Sequence, residues 1–154
     1  MKTLSDYQLL SKQAIALIEG ESDLIANLAN ISALLKMNLD NINWVGFYLL
    51  KEKQLILGPF QGNVACVRIP LGKGVCGMAF SSNRIMRVAD VEKFDGHIAC
   101  DAASRSEIVL PINSNAQTVA VLDIDSPITG RFNEIDEQGL ALFVEQLQQR
   151  LVFP

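Results

Sequence analysis

An α+β fold is predicted, with an antiparallel sheet carrying helices on one face and room for a ligand on the other. Three features of the sequence point to it. Two helical stripes precede any strand pattern, strand-like segments fill the middle of the chain, and a capped helix closes it. Leu4–Glu19 carries apolar residues at 4, 7, 10, 14, 17 and 18 and stops at Gly20. Ser22 then suits the cap of a second helix, Asp23–Leu39, with Leu24, Leu28, Ile31, Leu34, Leu35 and Leu39 inward. Ile42–Leu50 is rich in aromatic and β-branched residues and reads as a strand, followed by a short one at Gln54–Leu57. Asn63–Ile69 alternates and stops at Pro70. Gly72-Lys73-Gly74 turns into a short helix, Val75–Ser81, and Ile85–Val88 is a further strand. After a polar stretch from Ala89 to Ser104, Glu107–Ile112 and Thr118–Asp125 pair across the turn-forming Asn113-Ser114-Asn115-Ala116. Asn133 caps the last helix, which runs to about Leu151.

Composition bounds what such a fold is for. The chain has 154 residues, no linker and no internal repeat, and is expected to form a single domain over 1–154. Apolar residues make up 49% and charged ones 19%, below the usual figure of about 25%, which excludes a disordered chain and favours an apolar interior or pocket. No apolar run approaches the roughly 18–20 residues of a membrane span. Met1–Asp6 has no signal-peptide core, so a cytoplasmic location is expected. The net charge of −4, without a Lys/Arg cluster, argues against nucleic acid as a partner. Three cysteines leave one unpaired within the monomer and make no secreted disulfide framework.

The residues able to do chemistry fall into two groups. On one face of the Ile42–Leu50 strand lie Trp44, Gly46 and Tyr48; the missing side chain either leaves a slot for a small group such as a methyl, or marks a bulge with the aromatics in the core. On Thr118–Asp125, the residues Val119, Val121, Asp123 and Asp125 share a face, with Glu107 on the neighbouring strand. Three acids without an interleaved base need a cation, a ligand ammonium or a proton, unless they sit at solvent-facing strand ends.

The second group is the cysteines and the single histidine. Cys100 follows His97 in the long polar loop, Cys66 is expected on the strand Asn63–Ile69, and Cys76 opens the short helix. There the helix dipole would favour a thiolate at Cys76. No Cys-x-x-Cys is present. Cys66, Cys76, His97 and Cys100 have the right types for zinc, but His-x-x-Cys alone is a weak sign of it.

Five stretches together carry a family resemblance: Gly58-Pro59-Phe60-Gln61-Gly62, Ala65–Pro70, Gly72–Gly77, Phe94–Asp101 and Val121–Ser126. They closely resemble the free methionine-(R)-sulfoxide reductases, which are GAF-domain enzymes, over about Leu4 to Leu151. The resemblance implies a GAF-like sheet of about six antiparallel strands, with the N- and C-terminal helices on one face and a loop-covered pocket on the other. It implies thioredoxin-dependent reduction of free L-methionine (R)-sulfoxide through a cysteine sulfenic acid and an intramolecular disulfide, without a metal or other cofactor. Cys100 matches the catalytic thiol, Cys66 the resolving one, and Cys76 a third cysteine of less clear role. Trp44 and Tyr48 match the walls of the methyl pocket, and Glu107, Asp123 and Asp125 the carboxyl cluster around the sulfoxide and ammonium groups.

The chemistry explains why such parts are needed. A thiolate attacks the sulfoxide sulfur, and an acid must protonate the oxygen. A second thiol condenses with the sulfenic acid, and external thiols reset the pair. Two alternatives remain: a non-catalytic GAF domain binding a small effector or nucleotide, or a structural zinc module. A homodimer is left open.

Overall fold

The computed structural model describes residues 2–154. Helices α1 (Leu4–Ile18) and α2 (Leu24–Asn38) come first, then strands β1 (Trp44–Lys51), β2 (Gln54–Gly62) and β3 (Arg68–Pro70). Helix α3 (Gly74–Ser82), strand β4 (Met86–Val88) and a 3-10 turn at Val91–Lys93 follow. Strands β5 (Ser106–Ser114) and β6 (Gln117–Ser126) and helix α4 (Glu134–Gln148) complete the chain. The six strands form one antiparallel sheet in the order β3-β2-β1-β6-β5-β4. Strands β1 and β6, which carry Trp44, Tyr48, Asp123 and Asp125, are therefore neighbours at its centre.

Period-two alternation sorts the sheet residues onto two cores. Val45, Phe47 and Leu49 of β1, Ile108, Leu110 and Ile112 of β5, and Ala120, Leu122 and Ile124 of β6 pack under α1, α2 and α4. Trp44, Tyr48, Val109 and Val121 point the other way and meet Val75, Cys76, Ala79 and Phe80 of α3. The expectation of helices on one face thus holds for α1, α2 and α4, whereas α3 crosses to the pocket face. It does so because its apolar residues lie on nearly every side and need burial against the sheet.

Asn133 caps α4 as expected, in a capping box with Asp136. Asp136 also accepts hydrogen bonds from the Tyr7 hydroxyl at 2.6 Å and Arg131 at 3.2 Å, tying α1 to the start of α4. The Tyr7 side chain packs on Gly139, where any Cβ would run into it. Gly139→Ala should therefore destabilise the fold by about 1–3 kcal/mol through overpacking, although alanine is the better helix former. A midpoint shift in urea unfolding at unchanged slope measures this, and an unchanged midpoint would refute it.

Several local expectations are corrected. Asp23, not Ser22, caps α2, its carboxylate accepting from the Ala26 amide at 2.8 Å. Helix α4 ends at Gln148 rather than about Leu151. Strand β2 runs on through Gly58 and Pro59 to Gly62. Proline is tolerated there because β3 pairs only with Gln54–Ile56, leaving the far half of β2 at the sheet edge. Asn63–Ile69 is not a strand beyond its last two residues: 63–67 form a loop, and β3 is only Arg68–Pro70. Cys66 is thus a loop residue. Val119 is displaced by a bulge opposite Ile112 and Asn113 and joins the helix-side core, so it leaves the face of Asp123 and Asp125.

Candidate active site

Strand register brings the acids and aromatics into adjoining rows. Glu107 of β5 lies opposite Asp125 of β6, and Asp125 lies opposite Trp44 of β1. In the next row Val109, Asp123 and Gly46 are opposite one another, and beyond it Val121 faces Tyr48. Directly opposed side chains are about 4.5–5.5 Å apart at Cβ, so three carboxyl groups and two aromatic rings share one patch. All three acids are buried, which removes the reading of them as solvent-facing strand ends.

Gly46 resolves into the bulge reading rather than the slot. The register slips between Gly46 and Tyr48, and a Cβ at Gly46 would collide with the backbone and Cβ of Phe60. Phe60 stacks on Trp44 with ring centroids 5.1 Å apart, and Trp44 and Tyr48 stack at 5.9 Å. The aromatics still wall a cavity; the glycine lets β2 close behind them. Their polar atoms are spent on the 63–67 loop. Trp44 Nε1 donates to the Asn63 carbonyl at 3.1 Å, and the Tyr48 hydroxyl to the Cys66 carbonyl at 2.8 Å.

The cavity in front of this patch has a volume of about 40 Å³, with Cys76, His97, Cys100 and the three acids in its walls. Among the described residues no lysine or arginine lines it. Such a volume holds a water molecule or a few, not an amino acid. Cys66 and Cys100 are joined in a disulfide with Cα atoms 5.3 Å apart. Cys100 lines the cavity; Cys66 does not. Over the top, Ile98 packs on Gly74, whose φ of +64° and lack of a side chain permit the contact. Asn43 donates to Asp101 and to Ser104, each at 3.1 Å, and holds the other end of the loop.

The electrostatics are those of negative charge out of water. Burial, then Asp123, push the Glu107 carboxyl well above the usual carboxyl range. Burial and Asp125 do the same to Asp123, and burial and Glu107 to Asp125. One oxygen of Asp123, Oδ1, is buried with no hydrogen-bond partner. Burial and then Asp123 also raise the Tyr48 hydroxyl, and burial lowers His97.

Cys76 reverses the expectation drawn from its helix. It is 4% exposed, and its sulfur lies 4.0 Å from Glu107 Oε2. Burial first, then Asp123, Glu107 and Asp125, push its thiol up, so it is held neutral. A helix dipole contributes about 0.3–1 kcal/mol and cannot offset both burial and three acids. The zinc quartet is not assembled either, because Cys66 and Cys100 are bonded to each other. The ligand-type atoms that do converge, within 4.8 Å, belong to Cys76, Glu107 and Asp123.

Sequence reasoning missed Asn43, Ser104 and Ile98. Asn43 and Ser104 are 61 residues apart, and no local pattern marks either. Gly74 could have pointed to Ile98, since a glycine opening a helix signals a close approach.

Known proteins agree with this architecture. Residues 29–151 match the GAF domain family model. The chain is 57% identical to the free methionine-R-sulfoxide reductase of Escherichia coli over 145 residues, 94% of this chain and 88% of that one. It superposes on the Staphylococcus aureus fRMsr in complex with substrate with a TM-score of 0.92, at 56% identity over 99% of this chain and 98% of that one. The Neisseria meningitidis free methionine-R-sulfoxide reductase, in complex with its substrate, gives a TM-score of 0.91 at 41% identity, over 96% and 89% of the two chains. The chain belongs to the free methionine-R-sulfoxide reductase family of GAF-domain proteins.

Proposed function

We propose that this chain reduces free L-methionine (R)-sulfoxide to L-methionine, with Cys100 as nucleophile, Cys66 as resolving thiol and thioredoxin as reductant. The observation that carries the reading is the Cys66–Cys100 disulfide at the rim of a cavity walled by Trp44, Tyr48 and three buried acids. In the reduced protein, Cys100 attacks the sulfoxide sulfur while a protonated member of the Glu107–Asp125 pair delivers a proton to the oxygen. The sulfoxide S–O bond breaks as the protonated oxygen passes to Cys100 Sγ, methionine leaves with the electron pair of the S–S bond, and Cys100 is left as a sulfenic acid. The Cys66 thiol then displaces that hydroxyl as water, forming the disulfide, and an external dithiol restores both thiols. A neutral Cys76 has no role as nucleophile in this sequence; it packs its thiol against Glu107 and Asp123. Asp123, with an unpartnered oxygen, suits the substrate ammonium.

The 40 Å³ cavity belongs to the disulfide form, and substrate entry requires the loop around Cys100 to be released by reduction. A thiol relay of this kind works in a reducing compartment, in keeping with the cytoplasm. Among the described residues no helix is long and apolar enough to cross a membrane.

A walled cavity with acids for a free ammonium predicts selectivity. With thioredoxin, its reductase and NADPH, the R epimer of free methionine sulfoxide should be consumed, and the S epimer and N-acetylated or peptide-bound sulfoxide spared. Comparable turnover of the blocked substrates would refute the ammonium role. An effector-binding role without turnover would instead survive substitution of all three cysteines.

A further inference from the structure

We propose that the protein reductant docks on the exposed apolar side chains of Val64 and Val67 and attacks the sulfur of Cys66, not that of Cys100. This rests on the reductase reading above and names the surface through which that site is recycled. The two cysteines of the disulfide have different surroundings. Both are half-buried, but only Cys100 borders the 40 Å³ cavity, which is too small for a protein surface to enter, and Cys66 is not among its walls. The loop bearing Cys66 is held from its inner side, by Trp44 Nε1 on Asn63 and the Tyr48 hydroxyl on Cys66 itself. Its outer side presents Val64, 88% exposed, and Val67, 57% exposed, within two residues of the sulfur.

Two β-branched apolar side chains left in water beside a redox-active bond gain by being covered. The partner that must touch this bond in every cycle is a dithiol protein of the thioredoxin type, and the valines suit an apolar collar around its attacking thiol. A thiolate attacking Cys66 approaches from the side away from Cys100, and so from outside the cavity.

The exchange balances. The partner's thiolate forms a bond to Cys66 Sγ as the Cys66–Cys100 bond breaks, and the electron pair leaves on Cys100 Sγ, which takes up a proton. The partner's second thiol then attacks its own sulfur in the mixed disulfide and Cys66 departs as a thiolate, also to be protonated. The partner is oxidised to its disulfide, and Cys66 and Cys100 are reduced.

The test uses full-length protein oxidised by its own substrate, with methionine release measured first. Failure to release methionine would count against the reductase reading itself rather than against the docking surface. The oxidised protein is then mixed with a thioredoxin whose second active-site cysteine is replaced by serine, and the trapped mixed disulfide is mapped by mass spectrometry. A link to Cys66 is expected; a dominant link to Cys100 would overturn the proposal. Val64→Asp and Val67→Asp, at sites exposed enough to spare the fold, should raise the KM for thioredoxin about tenfold or more, the scale of an interface hot spot. Turnover driven by dithiothreitol should stay within about twofold of the wild type, because a small thiol needs no docking surface. An unchanged KM for thioredoxin in both variants, or an equal loss with dithiothreitol, would overturn it too.

Discussion

Cys100→Ser is expected to release no methionine in a single turnover, and Cys66→Ser to release one equivalent and then stall. The first change removes the only sulfur of the disulfide that faces the cavity. The loss should be on the order of 10⁴-fold or more, as when a covalent nucleophile is deleted. The second change leaves the attacking thiol in place but takes away the group that condenses with its sulfenic acid. Quench-flow with methionine detection separates the two variants, and thioredoxin-coupled cycling should fail in both. Cys76→Ser should still cycle, since its sulfur is buried and held neutral and takes no part as a nucleophile. A dominant Cys76–Cys100 link in native protein after turnover would reverse the resolving role.

Asp125→Asn and Glu107→Gln should each slow the sulfoxide-reduction step by about 10²-fold, the usual scale for loss of a general acid, while leaving binding nearly intact. The pair lies directly opposed on β5 and β6, and burial lifts both carboxyl groups well above their ordinary range, so a proton is held where the departing oxygen needs it. Asp123→Asn should act mainly on KM, through the ammonium. In the wild type the burst rate should fall as pH rises through the raised carboxyl values; Asp125→Asn should lose that limb. An unchanged burst rate and pH profile in Asp125→Asn would mean the proton comes from elsewhere, with His97 the next group in the cavity wall.

The same acids set a pH dependence of stability. Unfolded carboxyl groups ionise near 4, and the folded ones only well above that, so in between the native state binds more protons than the unfolded one. Their contribution is greatest below about pH 4 and is lost as pH rises through the folded values. Glu107→Gln should flatten that slope in denaturant unfolding measured at several pH values.

What could be read from the sequence follows from what is local. Alternation along Ala120–Asp125 put Asp123 and Asp125 on one face and the apolar residues on the other, because a strand's side-chain period is fixed by its backbone. The same rule failed at Val119, where a bulge inserts a residue, and at Cys66, whose loop is held by side-chain hydrogen bonds from β1 rather than by a ladder. The Trp44-Gly46-Tyr48 face was legible, but not that Phe60 from a neighbouring strand closes over the glycine. For Cys76 the helix start was visible, yet its acidity depends on acids from β5 and β6 that only the tertiary fold brings beside it. The pairing of Cys66 with Cys100 came from family resemblance, not from spacing.

The central claim, that one disulfide records one reduction, is tested by counting. Fully reduced protein is mixed with an excess of free methionine (R)-sulfoxide in the absence of any reductant, and methionine, free thiols and disulfide-linked peptides are measured on the same sample. The account predicts one methionine released for every two thiols lost, with Cys66 and Cys100 recovered as a linked pair and Cys76 still free. Methionine formed with all thiols intact, or thiols lost without methionine, would contradict it.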